Sequence, residues 1–302
     1  MQRYHFYTAD VFTDRQFGGN PLAVFPDARG LTAEQMQSVA REFNLSETVF
    51  ALPPDDPAHT RRLRIFTPGS EVAFAGHPTI GTAHILATIG EVATTGDVTR
   101  VVFEEGVGPV GVAIRSRQGR PVFAQLSVAK LPELGPPPPD AEAIATAVSL
   151  RESDLLLGDY RPEAWSCGLP FLFVALRDRD ALRRARIDRQ RWEQTLASYW
   201  APQPFLFSFD PELAGSHLRA RMFAPGLGIV EDPATGSAAA ALAGYLSQRR
   251  SVSTALRWVI EQGFEMGRPS ILEVEADAVE NRITAVRVGG SSVMVCEGSL
   301  TL

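Results

Sequence analysis

The sequence predicts an α+β protein built from two similar halves, each a β-barrel-like sheet wrapped around one buried helix. Two observations carry this prediction. First, one phrase occurs twice. Phe66-Thr67-Pro68 leads into Gly76-His77-Pro78-Thr79-Ile80-Gly81-Thr82-Ala83, and Phe223-Ala224-Pro225 leads into Glu231-Asp232-Pro233-Ala234-Thr235-Gly236-Ser237-Ala238. Upstream of these, Gly19-Asn20-Pro21-Leu22 is echoed by Gly168-Leu169-Pro170-Phe171, and each pair is separated by about half of the 302 residues. Second, the segments Pro78 to Ile89 and Pro233 to Leu246 lack a polar stripe, and a helix that is apolar all round is buried on every side. No apolar run approaches the ~18 residues of a membrane span, so a curved sheet is the expected cover.

Taken in order, Tyr4 to Phe12 and Leu22 to Phe25 read as strands joined by the turn-rich Gly18-Gly19-Asn20-Pro21. Thr32-Ala33-Glu34-Gln35 is a capping-box pattern, opening a helix with Met36, Val39, Ala40 and Phe43 on one face. Strands follow at Thr48 to Leu52, Arg62 to Phe66, Val98 to Phe103, Gly108 to Ile114 and Val122 to Val128. Four consecutive prolines, Pro136 to Pro139, fit neither a helix nor a central strand and read as the interdomain linker. The expected domains are therefore 1–135, to which the chain's last strand can return, and 136–302. The second half predicts a helix near Ala141 to Val148, strands around Trp165 and Leu172 to Leu176, and one charged helix from Ala181 to Ala197. Further strands are expected near Phe205 to Phe209, Leu218 to Phe223, Leu256 to Glu261, Leu272 to Ala276, Ile283 to Val288 and Val293 to Leu302.

A hydrophobic fraction of 45% and a charged fraction of 21% are those of an ordinary globular protein. A net charge of −6 and a pI near 5.5 argue against a nucleic-acid or anionic-membrane partner. The N-terminus lacks a signal-peptide core and the two cysteines, Cys167 and Cys296, give no disulfide framework, so a cytoplasmic enzyme is expected.

Pro78 and Pro233 stand where a helix best tolerates proline, so His77 and Asp232 are expected as N-caps, with N–H groups and the positive helix end behind them. Two such ends suit a carboxylate. Asp232 alone could be only a cap, and a lone histidine is usually structural; their recurrence in matching phrases points both towards function. Glu47 lies between an amphipathic helix and an apolar strand. The five histidines show no ligand-spaced pair with carboxylates or thiols, so no metal is expected, and His84 inside the apolar helix reads as structural. Gly106-Val107-Gly108-Pro109-Val110-Gly111 imitates a dinucleotide fingerprint but precedes a strand rather than a helix, and reads as a turn.

Together these phrases resemble the phenazine-biosynthesis PhzF family of the diaminopimelate-epimerase-like superfamily. Asp10-Val11-Phe12-Thr13 with Gly19-Asn20-Pro21-Leu22-Ala23-Val24 resembles its opening, and Phe43-Asn44-Leu45-Ser46-Glu47-Thr48 its catalytic-glutamate segment. The Gly76-His77-Pro78 and Glu231-Asp232-Pro233 phrases resemble its paired helix starts, and Gln262-Gly263-Phe264-Glu265-Met266-Gly267-Arg268 with Gly289-Gly290 its C-terminal part. The resemblance implies two pseudo-symmetric domains with the active site in a cleft between them, a homodimer, and no cofactor. The activity it implies is isomerisation of trans-2,3-dihydro-3-hydroxyanthranilate by moving a proton between ring carbons. It casts Glu47 as proton shuttle, His77, Asp232 and Ser237 as the supporting polar groups, and Ser46, Gly76 and Gly236 as substrate-binding. Epimerases of the superfamily use two thiols at the paired helix starts; here those places carry His77 and Asp232, so two-thiol racemisation is not expected. The remaining alternatives are another proton-shifting isomerase or epimerase acting on a different small carboxylate, and a non-catalytic small-molecule binding protein.

Overall fold

Strands that alternate inward and outward positions supply both layers of this fold. The structure, a computed structural model, describes residues 1–249, 255–280 and 282–302. The chain forms two units, Met1–Ala129 with Gly289–Leu302, and Lys130–Val288.

In the first unit β1 (Arg3–Val11) pairs antiparallel with β2 (Asn20–Phe25), and β3 (Glu47–Leu52) runs parallel to β2 with Leu22 opposite Glu47. β4 (Arg61–Phe66) is antiparallel to β3, and β5 (Glu71–Val72) to β4. β6 (Val98–Glu105) lies parallel to β4, and β7 (Gly108–Arg117) and β8 (Arg120–Ser127) complete an antiparallel meander. The fingerprint-like glycine run is the tight turn between β6 and β7 and the start of β7. Helix α1 (Ala33–Phe43) has the expected capping box: Gln35 N–H donates to Thr32 Oγ1 at 3.2 Å and Thr32 N–H to Gln35 Oε1 at 2.9 Å. Its apolar face covers one side of the sheet, where Phe25 stacks on Phe50 at 5.0 Å and Phe43 meets Phe6 edge-on at 4.8 Å. Helix α2 (Gly76–Thr88) is buried from Gly76 through Ala87, as its missing polar stripe predicts. Gly81 permits that depth. A Cβ there would stand 2.5 Å from Leu22 Cδ2 and 2.6 Å from Val11 Cγ2.

The second unit contains β9 (Glu133–Leu134), then β10 (Glu163–Ser166) antiparallel to β11 (Pro170–Leu176), and β12 (Pro204–Ser208) parallel to β11. β13 (Leu218–Ala224) is antiparallel to β12 and to β14 (Ile229–Asp232). β15 (Leu256–Gln262) lies parallel to β13 and antiparallel to β16 (Ser270–Val279). The order and directions of β1 to β7 thus recur in β10 to β16, the repeat that the sequence phrases announce. Helix α6 (Gly236–Ser247) occupies the place of α2 and is buried along nearly its whole length.

The rest of the second unit departs from expectation in two places. The charged segment Ala181 to Ala197 is not one helix. Arg186 N–H donates to Val148 O and Asp188 N–H to Ala147 O, the end of α3 (Ala141–Ala147), and Asp188 then caps a new helix through Arg191 N–H. Two short helices result, α4 (Arg179–Arg184) and α5 (Arg189–Thr195), packed with α3 over the outer face of β11 and β12. The four prolines also do not separate the units. Gly135 N–H donates to Ala164 O at 2.8 Å and Tyr199 Oη–H to Pro136 O at 2.6 Å, so this segment belongs to the second unit.

The chain leaves the second unit along β17 (Arg282–Gly290), and β18 (Ser292–Thr301) pairs antiparallel with β1, Thr301 opposite Arg3 and Ser292 opposite Val11. Residues 289–302 therefore lie with the first unit, the return of the last strand that the sequence allowed for. Among the described residues no helix is long and apolar enough to cross a membrane.

Candidate active site

In the first unit the parallel register of β2 and β3 fixes Glu47. Leu22 and Val11 reach α2 at Gly81, so they face inward, and Glu47, opposite Leu22, shares that face. Asn44, left-handed at φ 50°, ends α1 and starts the turn through Ser46, half-buried, into β3. Glu47 Oε2 then lies 3.2 Å from His77 Nε2, with the two side chains 14% and 6% exposed. Burial disfavours an imidazolium and pushes His77 down to about 3. His77 is therefore neutral near pH 7, and its ring does not place a positive charge against the Glu47 carboxyl.

His77 is not an N-cap. Helix α2 begins at Gly76, two residues before the expected start at Pro78, with Ala75 as its cap, so His77 and Pro78 both lie in the first turn. Proline is accommodated there because its missing N–H would have no partner within the helix. The first helical bond runs from Thr79 N–H to Ala75 O, leaving the N–H groups of Gly76 and His77 without an intrahelical acceptor.

In the second unit Asp232 is not a cap either. It ends β14, four residues before the first residue of α6, and Thr235 is the cap position. Asp232 Oδ2 accepts from Thr235 Oγ1 at 2.5 Å, and Gln262 Nε2 donates to Asp232 O at 2.8 Å and to Thr235 Oγ1 at 2.9 Å. Gln262 Oε1 accepts Thr235 N–H at 3.1 Å, so both ends of one fully buried amide hold the turn. Gly263 makes room for it: at φ 77°, its Cβ would meet Pro233 O at 2.6 Å. Gly236 and half-buried Ser237 open α6 immediately afterwards.

The strand register corrects the sequence alignment of the repeat. Asp232 pairs with Met222, and Val72 with Ile65, the residues just before the echoed Phe223 and Phe66. Asp232 thus corresponds to Val72, Thr235 to Ala75, Gly236 to Gly76 and Ser237 to His77. The printed phrases are five residues out of step because Pro, Gly and small residues recur inside the helix as well as before it. Neither Ala75 nor Thr235 at the paired caps is a thiol; Cys167 lies between β10 and β11, and Cys296 on β18. The same registers match Phe205, opposite Phe173, with Val49, opposite Val24, so Gln203, two residues before Phe205, corresponds to Glu47, two residues before Val49. The second unit therefore carries a neutral amide where the first carries a carboxyl.

Several buried polar groups escaped the sequence reading. Arg221, 3% exposed, donates to Leu182 O at 2.9 Å and Ala185 O at 2.8 Å and pairs with Glu231 at 2.8 Å, fixing the strand that ends in Asp232. Glu105, 8% exposed at the end of β6, has Oε1 2.6 Å from Thr79 Oγ1 in the first turn of α2. Alternation was its available signal, since Val101 and Phe103 of the same strand are buried and Glu105 continues their face.

The phenazine biosynthesis-like protein family model matches residues 9–298. The chain is 41% identical to a protein of Mesorhizobium japonicum named as an uncharacterized isomerase, over 99% of each chain. It is 36% identical to the trans-2,3-dihydro-3-hydroxyanthranilate isomerase of Pseudomonas aeruginosa, again over 99% of each. Among solved structures, a predicted epimerase from Pseudomonas aeruginosa matches at TM-score 0.81 and 32% identity, covering 99% of both chains. A PhzF-family phenazine biosynthesis protein of Bacillus anthracis matches at TM-score 0.90 over all of both chains; at 23% identity it supports the fold. A probable proline racemase of Agrobacterium radiobacter, at TM-score 0.63 and 14% identity over 99% of this chain and 93% of its own, shares the wider fold. The chain belongs to the phenazine biosynthesis-like family and is an isomerase of PhzF type.

Proposed function

We propose that this isomerase moves a proton within a small cyclic carboxylic acid resembling trans-2,3-dihydro-3-hydroxyanthranilate, using Glu47 as the group that takes the proton and returns it. The observation that carries this reading is the inward-facing Glu47 carboxyl held 3.2 Å from a neutral, buried His77. A neutral imidazole can donate to the carboxylate or accept from the carboxylic acid, so it can attend both halves of a proton shuttle. Gln203 at the matching place in the second unit supports a one-carboxyl reaction over two mirrored bases. Asp232, oriented by Thr235 and Gln262, serves the same reaction as a supporting carboxyl. Ser46, Ser237 and the backbone amides of Gly76 and Gly236 hold substrate, since helix starts favour anions. The enzyme is expected to work without a cofactor, as a homodimer, in the cytoplasm.

The second reading is the same chemistry on a different small carboxylate, favoured by the 41% identity to an isomerase whose name states no substrate. Incubating the full chain with trans-2,3-dihydro-3-hydroxyanthranilate and related cyclic carboxylates in D2O tests both. Deuterium entering a ring carbon of the first compound supports the first reading. Deuterium entering only other carboxylates supports the second. No uptake into any of them refutes the proton-shuttle proposal.

A further inference from the structure

The hydrogen bonds at the first turn of α2 contain a proton that the proposed reaction does not use. Thr79 Oγ1 lies 2.8 Å from Ala75 O and 2.6 Å from Glu105 Oε1. A threonine hydroxyl carries one hydrogen, and a backbone carbonyl can only accept. Both contacts are fully satisfied when Thr79 donates to Ala75 O and Glu105, as a carboxylic acid, donates to Thr79 Oγ1. The turn between β6 and β7 is pressed onto the segment leading into α2, where a Cβ on Gly106 would stand 2.8 Å from Ala73 Cα. Glu105 is thus seated against the base of the helix, in the same turn that carries His77.

We propose that Glu105, in its acid form, is a positioning residue: through Thr79 it locks the Ala75–Thr79 turn and so holds the His77 imidazole against Glu47. The assignment rests on the proposed roles of Glu47 and His77. Burial pushes Glu105 up to about 8, with the Thr79 hydroxyl pulling the other way. The ionisable groups on neighbouring elements do not supply a counter-charge. His77 and His84 of α2 are kept neutral by burial. Arg61, Arg62 and Arg64 of β4 pair with Glu91, Asp55 and Glu71. Arg115 of β7 stacks on Phe123, and Glu104 accepts from Asp55 N–H, Asp56 N–H and His59. Above the titration of Glu105 the acid proton is lost, Thr79 has two acceptors for one hydrogen, and when it turns to the carboxylate the Ala75–Thr79 turn is left with the Thr79 N–H bond alone.

The test uses the full chain and Glu105→Gln, whose amide can still donate to Thr79 without titrating. Infrared difference spectra between the two should contain a carboxylic-acid C=O band at pH 7 that fades with a midpoint near 8. The His77 imidazole nitrogen signals should shift in the same titration and stay fixed in Glu105→Gln. On a substrate that exchanges deuterium, wild-type kcat should fall about tenfold or more through this range with KM unchanged, and Glu105→Gln should lose that alkaline limb. Absence of the acid band at pH 7 overturns the proposal, as does a Glu105→Gln protein whose His77 signals and kcat follow the wild-type alkaline profile. The spectroscopic arms need no substrate, so a failed search for the reaction refutes the function reading and leaves the Glu105 assignment to stand or fall on the spectra.

Discussion

Acidifying this protein sets three buried groups of the first unit against one another, and Glu105→Gln should expose the contest. His77 and His84 are pushed from 6.5 down to about 3 and about 4 by burial, so the unfolded chain protonates first and their stabilisation, full above 6.5, is lost as pH falls. Going from pH 7.5 to 5.0, linkage gives a loss of about 2 kcal/mol for each. Glu105, raised from 4.5 to about 8, has the opposite sign: its stabilisation is full below 4.5 and disappears as pH rises through 8. Over the same interval it contributes a gain of about 3 kcal/mol. Wild type should therefore lose only about 1 kcal/mol from these groups, whereas Glu105→Gln should lose about 4 kcal/mol. Hydrogen exchange of α2 amides in increasing urea, at the two pH values, reads the first unit directly. All four tryptophans, at 165, 192, 200 and 258, lie in the second unit, so their fluorescence is an internal control that should not change with this variant. Equal acid sensitivity of the α2 amides in the two proteins would refute the argument.

Three further outcomes follow from contacts already described. Glu47→Gln keeps shape and hydrogen bonding but removes the base, so single-turnover proton transfer should fall by at least about a hundredfold with substrate affinity largely retained; near-normal turnover sinks the assignment. Arg221→Met leaves Glu231 and the carbonyls of Leu182 and Ala185 without their donor and should cost about 3–5 kcal/mol, read by tryptophan fluorescence in urea; a loss below about 1 kcal/mol would contradict the buried pairing. Gly81→Ala drives a methyl into Leu22 and Val11 and should cost about 1–3 kcal/mol, measured by exchange at α2; an unchanged protein would mean the helix seats more loosely than the distances imply.

What the sequence made legible follows from patterns that act locally. The absence of a polar stripe in α2 and α6 foretold their burial, and the Thr32–Gln35 spacing foretold a capped α1. Glu47 and His77 were singled out separately, and strand register brings them together. Groups whose partners come from far along the chain stayed hidden. The break between α4 and α5 is made by the carbonyls of Ala147 and Val148, which compete successfully for Arg186 and Asp188. Gln262 looks like an ordinary strand end until Asp232 and Thr235, some thirty residues earlier, close around it. The caps were misplaced because a proline states only that its own N–H is missing, which holds for three positions of a first turn and for the loop before it.

The return of β18 to β1 has a consequence for how the protein is made. Residues 130–288 emerge from the ribosome as one uninterrupted stretch and can close their sheet around α6 at once. The first unit, though its β1 to β8 are translated earlier, lacks a neighbour for the outer edge of β1 until residues 292–301 appear. The usual order of domain completion, first made and first finished, is inverted here. The unit holding the Glu47–His77 pair matures last, and an edge rich in unpaired N–H and C=O groups must wait through the synthesis of the whole second unit. A chain halted before residue 292 would carry an open first unit, making β1 the strand on which chaperones or neighbouring chains would act.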